Sequence, residues 1–327
     1  RHQDPFHPVQ ADPPGRVLRM PPVLHRQAEG AGHRRPYRPL QAAFRRIRRH
    51  QVSRLPRTRA MLLVAVPRKA SLVGAFFMSV VSAFAGAAEA CRPTGALQNV
   101  EVARVVDGDT VRLRDGRSVR LIGINAPELA HNGRTTEPFA EAAKQRLQAL
   151  VSASDGRLAL QPGRQARDHY GRTLAHLFDA SGANLEARLL GEGLGYLVAV
   201  APNTELTACQ QAAERAARSA NLGVWKRSPV LSLDRLAQSG FAVVRGRVLE
   251  VELNRGGIWL EMDGPLVLRI EPKVLKAFDA KRVMQMAGRS LEVRGWVVDR
   301  SRRGAVPAGK ARWQMSVTDP AMLEWLP

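Results

Sequence analysis

The sequence has little cysteine, and few of its histidines lie in the part that carries apolar periodicity. Cys91 and Cys209 are the only two cysteines, which excludes the paired Cys spacings of zinc ribbons and thioredoxin-like redox motifs. Past residue 90 the histidines are His131, His169 and His176, too dispersed to form a ligand cluster. We therefore expect these histidines to be structural or surface residues, and no cysteine or histidine metal centre is predicted.

Acidic residues are also scarce, since 29 Asp and Glu stand against 50 Lys and Arg, a formal charge of +21. Such an excess indicates an anionic partner. Residues 1–90 contain 16 basic and 4 acidic side chains, whereas the remainder contains 34 and 25. The part of the chain expected to fold is therefore basic, but less so than the total suggests.

Residues 1–60 lack apolar periodicity and are rich in Arg, Pro and His. Such a segment cannot bury enough surface to offset the entropy of ordering it. A nucleic-acid-binding arm and a twin-arginine export signal at Arg45 and Arg46 are two interpretations. We favour a third, a disordered extension upstream of a start at Met61.

Residues 61–90 have the three-part layout of a secretory signal peptide. Arg68 and Lys69 form the positive end, an apolar run follows from Leu72 to Ala88, and cleavage is expected before Cys91. The alternative is an uncleaved membrane anchor, because the run approaches the roughly 18 residues at which spanning becomes plausible. Small Ala, Ser and Gly residues dilute it. We expect a periplasmic or secreted monomer without stable membrane association.

An oxidising compartment favours a disulfide between Cys91 and Cys209. It would tie the mature N-terminus to a predicted helix. The alternative, lipidation of Cys91, fits poorly with Ala88 and Glu89 in the preceding positions.

Alternating apolar residues and turn signals predict a barrel of short strands closed by helices, the OB-type architecture within the α+β class. Asp115-Gly116 indicates a two-residue hairpin turn, which would pair Val111 with Arg120. Asp109 would then face Ile122, on the same side as Arg120. The predicted strands are Gln98 to Val106, Thr110 to Arg114, Ser118 to Ile124, Arg157 to Leu160 and one within 165–178.

Three helices are predicted to accompany these strands. The first would be capped by Thr135 or Thr136, the second by Asn184, and the third would run from Thr204 to about Ala220.

After a predicted linker at 229–240, residues 241–327 repeat the order of five strands around one helix. A second OB-like, nucleic-acid-binding barrel is one interpretation. The other is a stabilising domain without a ligand, in which Trp259, Trp296 and Trp313 are core residues.

The stretch from Val105 to Glu128 concentrates polar groups at predicted strand ends. Four segments, VVDGDTVRL, RLIGINAPE, DHYGRTLAHLF and ANLGVW, resemble the staphylococcal-nuclease (thermonuclease) family in order and spacing. The resemblance covers roughly Val100 to Trp225. It implies an SNase-like nuclease domain over 91–228, between the signal peptide (61–90) and the linker.

The resemblance also implies a calcium site built from oxygen ligands. Asp109, Asn125 and the backbone carbonyl of Ala126 would bind Ca²⁺, and Asp107 would organise a coordinated water. Where the family usually carries a second acidic ligand, this chain has Asn125, so affinity would fall or metal preference would shift.

The resemblance assigns the phosphate chemistry to four further side chains. Arg120 and Arg172 would bind the phosphate and stabilise its developing charge. Glu128 would orient or deprotonate the attacking water, and Tyr170 would hydrogen-bond a neighbouring phosphate.

A second departure concerns the bases of the substrate. Val198 and Val200 replace an exposed tyrosine pair that stacks on bases in the family. The predicted function is an exported, metal-dependent nuclease acting on DNA and RNA. The alternative is a catalytically weakened module that binds nucleic acid or protein.

Overall fold

The computed structural model describes residues 91–130, 133 and 135–326, with the backbone alone at Arg303. The predictions for 1–60, for the signal peptide at 61–90 and for His131 lie outside the described residues. No helix in the described part is both long enough and apolar enough to cross a bilayer.

The first half of the described chain contains seven strands and three helices. In chain order they are β1 Gln98–Val105, β2 Thr110–Leu113, β3 Ser118–Leu121, β4 Ile124–Asn125, α1 Ala140–Ser152, β5 Arg157–Arg167, β6 Thr173–Phe178, α2 Leu185–Gly191, β7 Tyr196–Leu197 and α3 Thr207–Ser219.

Five of these strands close into a barrel in the order β1-β2-β3-β6-β5. All pairings are antiparallel except that of β3 with β6, which is parallel. The predicted five-stranded barrel is confirmed. The two remaining strands, β4 and β7, form a separate two-stranded sheet beside it.

The β2–β3 hairpin has a different register from the predicted one. Thr110, and not Val111, is the partner of Arg120, so every pair is shifted by one residue. The loop has three residues, because the Leu113 N–H donates to the Arg117 carbonyl at 2.9 Å and Gly116 has a φ of 89°. A type I turn followed by a left-handed glycine produces this loop, and Asp115-Gly116 read alone suggests the shorter one.

The helix starts differ from two of the three predictions. Neither Thr135 nor Thr136 caps α1; its N-cap is Phe139, with a φ of 69° and no side-chain cap. The third helix begins at Thr207, three residues later than expected. Asn184 does cap α2, because its side-chain oxygen accepts from the Ala187 N–H at 2.9 Å.

The C-terminal half is also β-rich. Its elements are β8 Val230–Ser232, β9 Gly240–Asn254, β10 Gly257–Met262, β11 Leu266–Ile270, α4 Ala280–Met284, β12 Ser290–Asp299, β13 Trp313–Ser316 and β14 Leu323–Trp325. The pairings β9–β10, β10–β11, β11–β13, β13–β12 and β12–β9 close five strands into a ring, and only β11–β13 is parallel. This order matches that of the first barrel.

The segment expected to be a linker contributes to this second sheet. Within it, β8 pairs in parallel with β9, and Leu233 and Leu236 are buried in the second core. Two residues of the first half, Val198 and Ala199, belong to the same core.

A disulfide joins Cys91 to Cys209, with 5.4 Å between their Cα atoms. It connects the segment before β1 to α3, and the two cysteines are 118 residues apart in the sequence. Replacing both cysteines by alanine is expected to lower the free energy of unfolding by about 2–4 kcal/mol, because the unfolded chain loses a constraint on a long loop.

Urea unfolding of the double variant and of the wild type, with and without reductant, measures this contribution. The reduced wild type should unfold near the urea concentration of the double variant. An unchanged midpoint after reduction would show that the bond contributes nothing.

Candidate active site

The site begins at the turn between β1 and β2. Gly108 occupies its centre, and a Cβ there would lie 2.6 Å from the Cβ atoms of both Ala126 and Ala143. Only glycine therefore lets the turn approach α1 and the end of β4. The Asp107 side chain accepts from the Asp109 N–H at 3.0 Å, which holds the turn in shape.

Asp109 is buried at the end of the barrel, with 5% of its surface exposed. Its Oδ2 accepts from the Ala126 N–H at 2.8 Å and lies 3.0 Å from Nη2 of Arg120. Burial raises the pKa of Asp109 to about 6; Arg120 lowers it, while Asp107 and Glu128 raise it further. Three carboxylates thus act on one another at this end of the barrel.

Arg120 is engaged through both of its Nη atoms. Nη1 donates to the carbonyls of Leu121 and Ile124 at 2.7 and 2.8 Å. Nη2 donates to the Asn125 side-chain oxygen at 3.2 Å and contacts Asp109. The guanidinium therefore contacts the same two side-chain oxygens that the family resemblance assigns to a metal.

Asn125 lies in β4 and is buried, with 8% of its surface exposed. It is paired with Tyr196 of β7. Ala126 follows directly and is buried, and its N–H is already bound to Asp109. The structure therefore brings Asp109, Arg120, Asn125 and Ala126 together as one cluster.

Glu128 lies at the edge of this cluster and is exposed to solvent. Its backbone N–H donates to the Glu137 side chain at 3.0 Å. Its pKa is raised by partial loss of solvation and by Asp107, and is lowered by Arg120 and Arg172. Both guanidinium groups thus lie within electrostatic range of this carboxylate.

Arg172 is held by Asp168, in the tight turn between β5 and β6. Its Nε donates to Asp168 Oδ2 at 2.7 Å, and its backbone N–H donates to Oδ1 at 2.9 Å. Burial raises the pKa of Asp168, but the bonds from Arg172 outweigh this and hold it below the usual value. Tyr170 is 73% exposed in the same turn, and the Arg172 guanidinium lies 5.4 Å from its ring centre.

Sequence reasoning missed Asp168 and Glu137, which orient Arg172 and Glu128. An Asp four residues before an Arg, across a Gly-containing turn, was the available signal for Asp168. No comparable local pattern marks Glu137.

The two valines at the expected base-stacking positions differ in exposure. Val198 is 5% exposed and packs in the second core, whereas Val200 is 45% exposed. Val198 is therefore a core residue and cannot offer a face to a base.

Of Trp259, Trp296 and Trp313, which one interpretation of the sequence predicts as core residues, Trp313 is buried, whereas Trp296 is 41% exposed. The Arg269 guanidinium lies 5.0 Å from the centre of the Trp259 ring. An arginine over an aromatic ring is also found on nucleotide-stacking surfaces. Glu252, however, is the direct cross-strand partner of Trp259 on β9. This face therefore presents an acidic side chain as well as a basic one beside Trp259.

Comparison with known proteins agrees with this geometry. The family model described as "Staphylococcal nuclease homologue" matches residues 118–227. A thermonuclease of Staphylococcus intermedius is 31% identical over 129 residues, which cover 38% of this chain and 75% of that protein. The chain belongs to the staphylococcal nuclease family.

Endonuclease YncB of Bacillus subtilis is 32% identical over 136 residues, which cover 40% of this chain and 64% of that protein. The chain therefore spans just under two thirds of this relative. The family match includes Arg120, Asn125, Glu128, Tyr170 and Arg172. The match begins after the turn that contains Asp107 and Asp109. The structure brings Asp109 into the cluster through its contacts with Ala126 and Arg120.

The contact of Gly108 with α1 can be tested by substitution. Gly108→Ala should lower the free energy of unfolding by about 1–3 kcal/mol, since the added methyl overpacks the turn against Ala126 and Ala143. Gly95→Ala is the matched control, because its Cβ would meet no atom closer than 3.5 Å. Equal thermal unfolding temperatures for the two variants would contradict the close packing of the turn.

Proposed function

We propose that this protein is a nuclease that hydrolyses phosphodiester bonds of DNA and RNA with the help of Ca²⁺. The observation that supports this most is the convergence of Asp109, Arg120 and Asn125 at one end of the barrel, within 3.2 Å of the guanidinium. Cation-binding oxygens and a phosphate-binding guanidinium share one location, as hydrolysis of an anionic ester requires.

The residues present fit an oxygen-coordinated divalent cation. Asp109, Asn125 and the Ala126 carbonyl would hold it, and Asp107 would act through water. Among the described residues no group of three or more His, Cys, Asp or Glu has metal-binding geometry, so the set depends on amide and carbonyl oxygens, which Ca²⁺ accepts. Mutual repulsion of Asp107, Asp109 and Glu128 also favours a positive charge here. When bound, the cation would supply Lewis-acid stabilisation of the phosphate.

Arg120 and Arg172 are the residues proposed to bind the phosphate. A planar guanidinium can donate two parallel bonds to its oxygens and balance the charge that grows there. Arg120 would exchange the Nη2 contacts that it makes within the cluster for contacts with the phosphate. Asp168 fixes the direction of Arg172 through Nε, at 2.7 Å. Tyr170, exposed beside Arg172, would donate to a neighbouring phosphate.

Glu128 is the proposed general base. It is exposed enough to reach water, and its raised pKa makes it a better proton acceptor than an ordinary surface glutamate. The adjacent guanidinium groups of Arg120 and Arg172 lower its pKa and so favour the ionised form that accepts a proton.

We further propose that the protein is exported, works as a monomer and is not stably attached to a membrane. Its two cysteines form a disulfide, which fits an oxidising compartment such as the periplasm or the extracellular space.

The second candidate function is a weakened module that binds nucleic acid or protein. Asn125 favours it, because the amide carries no charge and its oxygen is bound to Arg120. The two functions differ in whether bound DNA is cut.

Glu128→Gln and Arg172→Ala test the nuclease assignment. Loss of a general base should lower kcat by about 10²–10⁴-fold while DNA binding persists. Arg172→Ala should lower kcat and also weaken DNA binding, because it removes a phosphate contact. Plasmid degradation is measured with Ca²⁺ and with chelator.

Two exposed residues outside the site serve as matched controls for these substitutions. Glu141→Gln and Arg157→Ala should cut like the wild type, since both side chains are exposed away from the cluster. Full activity in the Glu128 and Arg172 variants would refute the site. A wild type that binds DNA but does not cut it with any divalent metal would support the binding module.

Asn125→Asp tests the proposed ligand. A carboxylate at this position restores a negative charge beside Asp109, so the Ca²⁺ concentration for half-maximal activity should fall by about tenfold, as for other ligand-shell changes. Calcium titration of plasmid cleavage measures it. An unchanged concentration would remove Asn125 from the ligand set.

A further inference from the structure

A short segment, residues 196–199, lies between the candidate active site and the C-terminal barrel. On one side, Tyr196 and Leu197 pair with Asn125 and Ile124. The Val198 N–H also donates to the Gly123 carbonyl at 3.1 Å. Within the described residues β7 is the only strand partner of β4. A displacement of this segment would therefore also displace Asn125.

A buried ion pair holds the segment from the other side. Glu214 of α3 accepts from the Leu197 N–H at 2.7 Å. Nη1 of Arg294, on β12, donates to both oxygens of Glu214 at 2.7 and 2.5 Å. Glu214 is 3% exposed and Arg294 5% exposed. Removing the cation would leave a deeply buried carboxylate without its partner, so the Arg294 guanidinium holds the Glu214 side chain in this position.

The C-terminal barrel makes a second attachment two residues later. The Thr318 hydroxyl donates to the Ala199 carbonyl at 2.7 Å. The Ala199 N–H donates to the Met322 sulfur at 3.2 Å, and Val198 and Ala199 pack in the second core. Leu197 is thus bound to Glu214, Val198 to Gly123, and Ala199 to the C-terminal barrel.

We propose that the C-terminal barrel is part of the active-site scaffold: Arg294, acting through Glu214, and Thr318, acting through Ala199, are positioning residues that hold Asn125 and Ala126 in place beside Asp109. Neither residue touches the reacting groups. The consequence for catalysis rests on the proposed nuclease function, whereas the positioning itself does not.

The same interface offers a matched control. Arg218 of α3 pairs with Glu292 of β12 at 2.7 and 2.8 Å, so it also joins α3 to β12. This pair makes no direct described contact with residues 196–199, although Arg218 lies 4.9 Å from the ring of Trp225, which packs against Tyr196. Methionine keeps an apolar side chain at that ring. If Arg218 is replaced, Glu292 keeps Arg245 at 3.3 Å and Arg294 at 3.6 Å. Arg218→Met therefore weakens the interface without releasing the segment.

The experiment compares Arg294→Met, Thr318→Val and Arg218→Met in the full chain. Amide hydrogen exchange in the absence of metal should be about tenfold faster at Ala126 and Val198 in Arg294→Met, because local opening of the segment costs less free energy without this contact. Thr318→Val should also raise the exchange rates of these two amides, but by a smaller factor. Arg218→Met should lower the unfolding temperature and leave both exchange rates unchanged.

Nuclease assays then separate positioning from general stability. Arg294→Met should raise the Ca²⁺ concentration for half-maximal activity by about tenfold, with a smaller change in KM for DNA, whereas Arg218→Met should match the wild type. The proposal is overturned if both positioning variants exchange and titrate like Arg218→Met. If Arg294→Met does not fold, Thr318→Val decides alone. An inactive wild type would refute the nuclease function, and the exchange comparison would still test the positioning.

Discussion

The ion pair between Asp109 and Arg120 lies almost entirely within the protein, and the rest of the site is arranged around it. A carboxylate at this depth loses much of its solvation, which raises its pKa to about 6. The Ala126 N–H and the guanidinium compensate for that loss. Arg120 in turn requires acceptors, and the carbonyls at the ends of β3 and β4 supply them. The structural requirements and the proposed catalytic ones therefore fall on the same atoms.

The second barrel extends this arrangement beyond the family match, which ends at residue 227. Its charged contacts with α3 are concentrated on β12, where Glu292 and Arg294 are both nearly buried. Buried ion pairs contribute less to stability than to specificity of orientation. That property suits a domain whose proposed task is to fix one short segment.

Local patterns were sufficient for most of the architecture. Alternation identified the strands of both barrels, and Asn184 marked the start of α2 through its own side chain. The errors have local causes. A left-handed Gly116 lengthened the hairpin loop and shifted its register, and the first helix starts at an uncapped Phe139. In each case backbone conformation, which residue type specifies weakly, set the boundary.

By itself, the sequence identified Asp109, Arg120, Asn125 and Ala126 as one group, because the ordered motifs that contain them resemble those of the staphylococcal nuclease family. Only the tertiary structure decided that Arg120 contacts the oxygens assigned to a metal, that Val198 is core, and that Glu214 is held by Arg294. That last pair is separated by 80 residues. No periodicity encodes such a contact, since it exists only when the two barrels pack together.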